Sequence, residues 1–251
     1  MALLTTQAIV LRSFPYNDGR LIVDMLCRQG GRLSFAVSVP RNATGRSRLR
    51  RQLFQPLTMV EAECDVRPNA DLHRIRELRL SYAYTTLPFD EARLAQGLFV
   101  AEFLLYATRG ERQGESLYDY VSASLEWLDR SPRRAAGTTG SGTANFHLVF
   151  MMRLSRLLGF YPNLQQNEGE RWFDLRGGCF CDAPPSHHDY LAPEEADHLR
   201  LLMRMDFSTM HLFRLSRQQR NRCVEIIESY YRLHLPQFPE LRSLDVLQSL
   251  W

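Results

Sequence analysis

The chain has 251 residues, which is enough for a sizeable core and for two domains. Its 45% hydrophobic and 24% charged residues exclude an intrinsically disordered protein. No apolar run reaches the roughly 18 residues of a membrane-spanning helix, and the first ten residues lack the basic start of a secretion signal. We therefore expect a folded cytoplasmic protein, and we interpret its five scattered cysteines as thiols rather than as a disulfide framework.

Positive charge is concentrated at the N-terminus. Residues 1–80 contain 13 arginines against 7 acidic residues, a net charge of +6, and the remaining residues contain 18 against 21, a net charge of −3. The chain has no lysine, so every permanent cation is a guanidinium, a group that suits phosphate and stacks on bases. This separation predicts a polyanion-binding N-terminal part joined to a part with another task.

Short strands separated by turn residues dominate the first 80 residues. The clearest strand is predicted at 32–39, where Leu33, Phe35 and Val37 alternate with smaller or polar residues. Four more strands are predicted, at 6–12, 20–26, 57–63 and 75–80. Five short strands favour a small barrel of the oligonucleotide-binding (OB) type, so we predict an α+β, multidomain protein with an OB-fold domain at 1–80.

Beyond Pro88 the hydrophobic period changes from two to about 3.6 residues, which predicts a mainly α-helical domain at 81–251. Helices are expected to begin at or near Asp90, Ser116, Ala144, Pro193 and Ser216. The buried stripes of the first and third of these helices are predicted to include Leu98 and Leu157. In the last helix, Ser216 and Gln219 are predicted to form a capping box, and the buried stripe is predicted at Cys223, Ile226, Ile227, Tyr230 and Tyr231. We expect an irregular segment at 161–190 and a flexible loop, without a binding site, at 131–143.

A loop with five arginines and no acidic residue occupies residues 40–51. A solvated, solubilising loop is one interpretation of such a run, but its place in a predicted barrel favours phosphate binding. Phe35 and Phe54 flank the loop and are candidates to stack on bases, although strand alternation favours a core position for Phe35. The predicted DNA-binding residues are Arg12, Arg32, Arg41, Arg46, Arg48, Arg50 and Arg51.

Motifs for metal binding and catalysis are weak or missing. Cys179 and Cys181 are followed by two histidines, but the CxC spacing differs from the CxxC pair of a structural zinc site. The sequence contains no phosphate-binding loop, nucleophile elbow or HExxH motif. We therefore predict no catalytic residue, cofactor or metal. A zinc hydrolase that uses Cys179, Cys181 and a nearby histidine is the enzymatic alternative.

Several short stretches, taken in chain order, resemble the bacterial RecO family of DNA repair proteins. They are AIVLR at 8–12, YND at 16–18, LIV at 21–23, GRL at 31–33, QPL at 55–57 and RLLGFYP at 156–162. Each is short, but their common order spans nearly the full chain. The closing residues, from YYRLHLP at 230–236 to LDVL at 244–247, resemble the Bacteroidetes-type members.

The resemblance implies a non-catalytic recombination mediator of the RecF pathway. Such a protein binds single- and double-stranded DNA and anneals complementary strands. With RecR it helps to load RecA onto DNA coated by the single-stranded DNA-binding protein, whose C-terminal tail it engages. The resemblance also implies a cytoplasmic, nucleoid-associated location with no membrane partner.

Two details of the helical domain follow from the resemblance. Family members often carry a four-cysteine zinc module, but this chain has NLQQN at 163–167 where the first CxxC pair is expected. The resemblance therefore implies a degenerate zinc-module segment without metal. Arg153 and Arg156 are the candidates for holding the acidic tail of the single-stranded DNA-binding protein. A protein-interaction adaptor, working mainly through the helical domain, is the alternative function.

Overall fold

The computed structural model describes residues 2–17, 19–38, 51–67, 70–111, 114–132, 143–163, 165 and 171–249. The chain forms two units, of which the first combines Met1–Arg130 with Leu241–Leu247 and the second combines Ser131–Glu240 with Gln248–Trp251. The first unit thus holds the N-terminal strands together with the two helices that follow them. The domain boundary between residues 80 and 81 stays a prediction.

Five antiparallel strands form the N-terminal sheet, as the alternation of apolar residues predicts. They are β1 (Ala2–Asn17), β2 (Arg20–Cys27), β3 (Gly31–Ser38), β4 (Met59–Val66) and β5 (Arg74–Tyr82). Their order in the sheet is β3-β2-β1-β4-β5. All five predicted strands are confirmed, although β1 is much longer than the predicted 6–12.

The long strand β1 contributes to both halves of the sheet. Residues 2–9 pair with β4 and residues 8–17 pair with β2, with a bulge at Leu11 that lets the strand bend between its two partners. A parallel bridge between Phe35 and His73 joins the remaining edges of the sheet. The backbone N–H and C=O of His73 make the two hydrogen bonds of this bridge, at 2.8 and 3.0 Å. Among the described residues, the sheet is therefore closed at this one bridge, just before β5 begins.

The first unit continues with a short 3-10 turn (Leu87–Phe89) and the helices α1 (Glu91–Ala107) and α2 (Glu115–Arg130). Helix α1 begins next to Asp90, as predicted, and the Asp90 carboxylate caps it by accepting the backbone N–H of Arg93 at 3.2 Å. Leu98 was predicted to be buried, but it is exposed. The helix is apolar on nearly every side, so the hydrophobic period did not identify the buried face, which carries Phe99 and Phe103.

The carboxylate of Asp129, near the end of α2, holds the segment that follows β5. It accepts the backbone N–H groups of Thr85, Thr86 and Leu87 at 2.7 to 3.1 Å and the hydroxyl of Tyr82 at 3.0 Å. Burial raises the pKa of Asp129, but these hydrogen bonds outweigh burial and keep its pKa below the usual value. The ionised carboxylate thus fixes the path of the chain from the sheet into α1.

The second unit contains α3 (Phe146–Leu157), α4 (Pro193–Arg204) and α5 (Arg217–His234), and the last helix of the chain is α6 (Leu244–Ser249). The predicted capping box at the start of α5 is confirmed, because Ser216 and Gln219 each bond the other's backbone N–H. The predicted buried stripe of α5 is also confirmed, and the hydroxyl of its Tyr231 donates to the carbonyl of Met151 at 2.7 Å.

Two predictions for the second unit are wrong. The segment predicted as irregular contains a three-stranded sheet of β6 (Trp172–Asp174), β7 (Cys179–Cys181) and β8 (Tyr190–Leu191). Strands of two or three residues are too short for an alternating pattern to be recognised. Leu157 was assigned to the core but is exposed in the last turn of α3. No helix among the described residues is long and apolar enough to cross a membrane.

Candidate nucleic-acid interface

A polar ladder crosses the face of β1, β2 and β3. Arg12, Asp24 and Ser34 are register partners on the three strands. Nε and Nη2 of Arg12 donate to Oδ2 of Asp24 at 3.0 and 2.8 Å, and the Ser34 hydroxyl donates to Oδ1 at 2.5 Å. The Asp24 side chain is buried beneath these partners, whereas that of Arg12 is 46% exposed. The ladder therefore presents a guanidinium at the surface in a fixed orientation.

Arg32, the second predicted DNA-binding residue on the sheet, is mostly buried. Its Nη1 donates to the carbonyl of Leu105 in α1 at 2.5 Å, and its Nη2 lies 3.8 Å from Oδ2 of Asp24. Burial lowers the pKa of Arg32, and the charge of Asp24 opposes that effect. The side chain thus joins the sheet to α1. Two guanidinium groups share the single carboxylate, which leaves a local net charge of +1.

The aromatic candidates from the sequence are misplaced for stacking. Phe35 and Phe54 both lie in the core of the closed sheet, so the prediction that Phe54 stacks on bases is wrong and the core position of Phe35 is confirmed. Phe14 is a better candidate, because it is half-buried with the Arg12 guanidinium 4.7 Å above its ring. Tyr16, two residues further along β1, is 59% exposed.

The alternation of Arg12, Phe14 and Tyr16 in the sequence was the signal that could have identified these aromatic residues. Arg12 and Phe14 lie on one face of β1, and Tyr16 follows at a bulge between Pro15 and Asn17. A cation close to aromatic rings is the composition of a stacking platform. The sequence Asn17-Asp18-Gly19, which follows Tyr16, is typical of a turn and favoured the end of the strand before this point. In the structure β1 continues to Asn17.

The arginine-rich loop begins where β3 ends. Arg41, Arg46, Arg48 and Arg50 lie outside the described residues, whereas Arg51 is exposed at the start of a short helical turn. Ser38, the last residue of β3, is the register partner of the exposed Arg20 on β2. The strand β3, which carries Ser34, therefore ends beside the cation Arg20.

Arg153 and Arg156 lie in the second unit, on the exposed side of α3 together with Leu157. Arg153 has its Nη2 at 3.8 Å from Asp206 Oδ2, and the guanidinium of Arg156 lies 4.3 Å above the ring of Tyr161. Because these positions are separated by three and four residues, they share one face of the helix. This face combines two cations with an exposed apolar side chain.

The two cysteines of the zinc alternative lie at either end of β7. The thiol of Cys181 is 3.7 Å from the carbonyl oxygen of Trp172, its neighbour on β6. His187 approaches Asp174 at 3.4 Å rather than the cysteines. Across the part of the chain that the structure describes, no three histidine, cysteine or acidic side chains are grouped to hold a metal ion.

Comparison with known proteins gives matches along nearly the whole chain. The family models "Recombination protein O N terminal" and "Recombination protein O C terminal" match residues 1–84 and 88–245. A protein of Phocaeicola vulgatus named DNA repair protein RecO is 47% identical over 246 residues, which cover 98% of each chain. Proteins of the same name from Bacteroides fragilis and Porphyromonas gingivalis are 45% and 34% identical, with 98% and 99% of each chain covered. The predicted resemblance is therefore confirmed, and the chain belongs to the RecO family, among its Bacteroidetes members.

Proposed function

We propose that this protein is a non-catalytic recombination mediator in DNA repair. It binds single- and double-stranded DNA, anneals complementary strands and, with RecR, helps to load RecA onto DNA coated by the single-stranded DNA-binding protein. The observation that carries the proposal is the ladder that holds the half-exposed Arg12 guanidinium above the ring of Phe14. Membership of a family whose relatives are named DNA repair proteins supports the same role.

The N-terminal part of the first unit, residues 1–80, is proposed to be an OB-fold. Its closed strand order and the parallel bridge between β3 and β5 support this assignment. OB-folds bind oligonucleotides on the face of strands 2 and 3 and with the adjoining loops. The ladder, the exposed Arg20 and the start of the loop at Ser38 lie on these strands or next to them.

In the proposed binding mode, arginines contact the phosphate backbone while Phe14 and Tyr16 stack on bases. Contacts to phosphate carry no sequence information, and every base has a face on which a ring can stack. Binding is therefore expected to tolerate any sequence and to weaken steeply with salt. The proposed phosphate-binding residues are Arg12, Arg41, Arg46, Arg48, Arg50 and Arg51, with Arg32 contributing charge from its buried position.

A salt titration of labelled single-stranded DNA tests this proposal. The affected variant replaces four loop arginines with alanine: Arg46, Arg48, Arg50 and Arg51. The matched control removes the same charge from exposed positions of the second unit: Arg171, Arg204, Arg214 and Arg217. We expect the loop variant to bind more weakly and to lose about 0.7 from the log–log salt slope for each phosphate contact removed. Equal slopes in the two variants would contradict the proposal.

A protein-interaction adaptor is the second candidate function. The exposed face of α3, with Arg153, Arg156 and Leu157, favours it, because an acidic and apolar peptide such as the tail of the single-stranded DNA-binding protein needs both cations and an apolar contact. Replacing both arginines with glutamate should abolish binding of a synthetic acidic tail peptide and leave DNA affinity unchanged. If DNA binding is absent and tail binding persists, the adaptor is the better description.

A further inference from the structure

An apolar groove of about 1250 Å³ lies in the first unit, between the end of β5 and the start of α1. Three of its wall residues are exposed apolar side chains: Leu80 (52%), Phe89 (74%) and Leu98 (42%). An apolar groove with exposed apolar side chains in its walls is a common form of ligand or partner site. None of the described wall residues comes from β1, β2 or β3, which carry the ladder, although the wall residue Gln52 directly follows Arg51 in the chain.

The groove runs along an open strand edge. Over the described residues, β5 pairs with β4 and reaches β3 only through the bridge at His73. Residues 76–82 therefore present backbone N–H and C=O groups that no described strand occupies, and such an edge is a template for an added strand. Leu78 and Leu80 are the register partners of Ala62 and Val60, which belong to the core of the sheet, so both leucines lie on the core side of β5. Leu78 packs against this core, and both leucines also line the groove.

The chemistry of the groove disfavours nucleic acid. Among the described wall residues, Arg76 is the only cation, and its guanidinium is engaged by Asp65 at 2.7 and 2.8 Å. Phosphate binding requires several closely spaced cations, which the described walls do not provide. A second copy of the chain also fits poorly, because two concave grooves placed face to face leave a void between them. A single extended segment fits better, because its backbone can pair with the strand edge while its side chains fill the groove.

We propose that the β5 edge and its groove form a docking site for an extended segment of another protein, which adds to the sheet as a further strand. Main-chain hydrogen bonds to residues 76–82 hold the segment, and large apolar side chains at alternate positions enter the groove. Glu77 and Arg79 alternate with Leu78 and Leu80 along β5; they are largely exposed and 3.1 Å apart, and Glu77 also borders the groove. The segment therefore carries a basic residue opposite Glu77 and an acidic residue opposite Arg79.

The test begins with phage display of random twelve-residue peptides on the full-length protein. We expect an enriched family with apolar residues at every second position. A fluorescein-labelled consensus peptide should then lose at least tenfold in affinity for Phe89→Asp and for Leu98→Asp. The matched control, Leu212→Asp, changes an apolar residue that is 68% exposed in the second unit, and it should change the affinity less than twofold. All three positions are exposed, and equal melting temperatures will confirm that the variants fold.

Two further measurements separate strand addition from simple apolar contact and from DNA binding. N-methylation of alternate peptide amides removes donors, so it should abolish binding even though the side chains are unchanged. Hydrogen exchange of residues 76–82 should slow when the peptide is added and stay unchanged when labelled oligothymidylate is added. The proposal fails if no peptide family is enriched, if the edge is already protected in the free protein, or if DNA protects it and displaces the peptide. Neither result depends on whether the loop arginines bind DNA.

Discussion

Replacing Asp24 with asparagine separates the contribution of the polar ladder to stability from its contribution to DNA binding. Asparagine has nearly the same shape as aspartate but no charge, so Arg12 and Arg32 keep their positions in the chain and lose their shared counter-charge. The local net charge of these three side chains changes from +1 to +2. We expect a less stable protein that binds DNA more tightly at low salt.

The loss of stability can be estimated from the hydrogen bonds. Two bonds from Arg12 and one from Ser34 reach a buried carboxylate, and Asp24→Asn weakens all three. Bonds to charged groups contribute about 1.5–3 kcal/mol each, but Arg12 is nearly half exposed and recovers water. We therefore expect the free energy of unfolding to fall by about 1–3 kcal/mol, measured by urea denaturation.

The gain in DNA binding follows from counterion release. One additional phosphate contact makes the log–log salt slope for single-stranded DNA steeper by about 0.7. Fluorescence anisotropy of a labelled oligonucleotide at several salt concentrations measures that slope. Asp119→Asn is the matched control, because Asp119 also binds an arginine, Arg28, at 2.8 and 3.2 Å, but on α2. An unchanged slope for folded Asp24→Asn, or an equal increase for Asp119→Asn, would refute the assignment of the DNA site to the ladder.

Three further predictions concern stability. Asp129→Asn should lower the free energy of unfolding by about 2–4 kcal/mol in urea denaturation, because an amide cannot accept from all the donors around Asp129. Gly114→Ala should lower the free energy of unfolding by about 3 kcal/mol or more in the same assay, since its Cβ would lie 2.2 Å from the carbonyl oxygen of Cys27. Gly110→Ala is the control, because its Cβ would meet no atom within 4 Å and would cost only the strain of a positive φ. Burial lowers the pKa of His147 to about 3, so the neutral form is favoured in the fold, and stability should fall as pH drops below about 6.5, by on the order of 2 kcal/mol at pH 5. His147→Gln should remove that part of the pH dependence, and an unchanged pH profile would contradict the assignment.

The elements that bury only one face against the core could be predicted from the sequence, because their apolar residues recur with the period of a strand or a helix. Strands with one face in the core alternate strictly, as at Leu33, Phe35 and Val37, and α5 has a single buried stripe with a capping box at its start. These elements were found at the predicted places. The closing bridge at His73 could not be predicted, because it depends on two edges that meet only after the sheet has curved.

The errors arose where the local pattern carries little information. In α1 both Leu98 and Phe99 are apolar, and only packing against the sheet determines that Phe99 is buried. For the candidate site, the charge of the N-terminal part was evident from composition, but composition cannot distinguish the surface guanidinium of Arg12 from that of Arg32, which reaches into α1. The sequence also does not show that Asp24 is the buried partner of Arg12 and Ser34, because these residues lie on three different strands.

The two proposed surfaces lie on different strands of the first unit, so DNA and the extended segment should bind at the same time. DNA is assigned to the outer face of β1, β2 and β3, and the extended segment to the open edge of β5 and its groove. No described residue belongs to both surfaces, so saturating consensus peptide should leave the affinity for DNA and its salt slope within experimental error. A mediator that transfers DNA between proteins needs to hold DNA and a protein partner at the same time. Competition between peptide and oligonucleotide would show that the surfaces overlap, and the two assignments could not then both be correct.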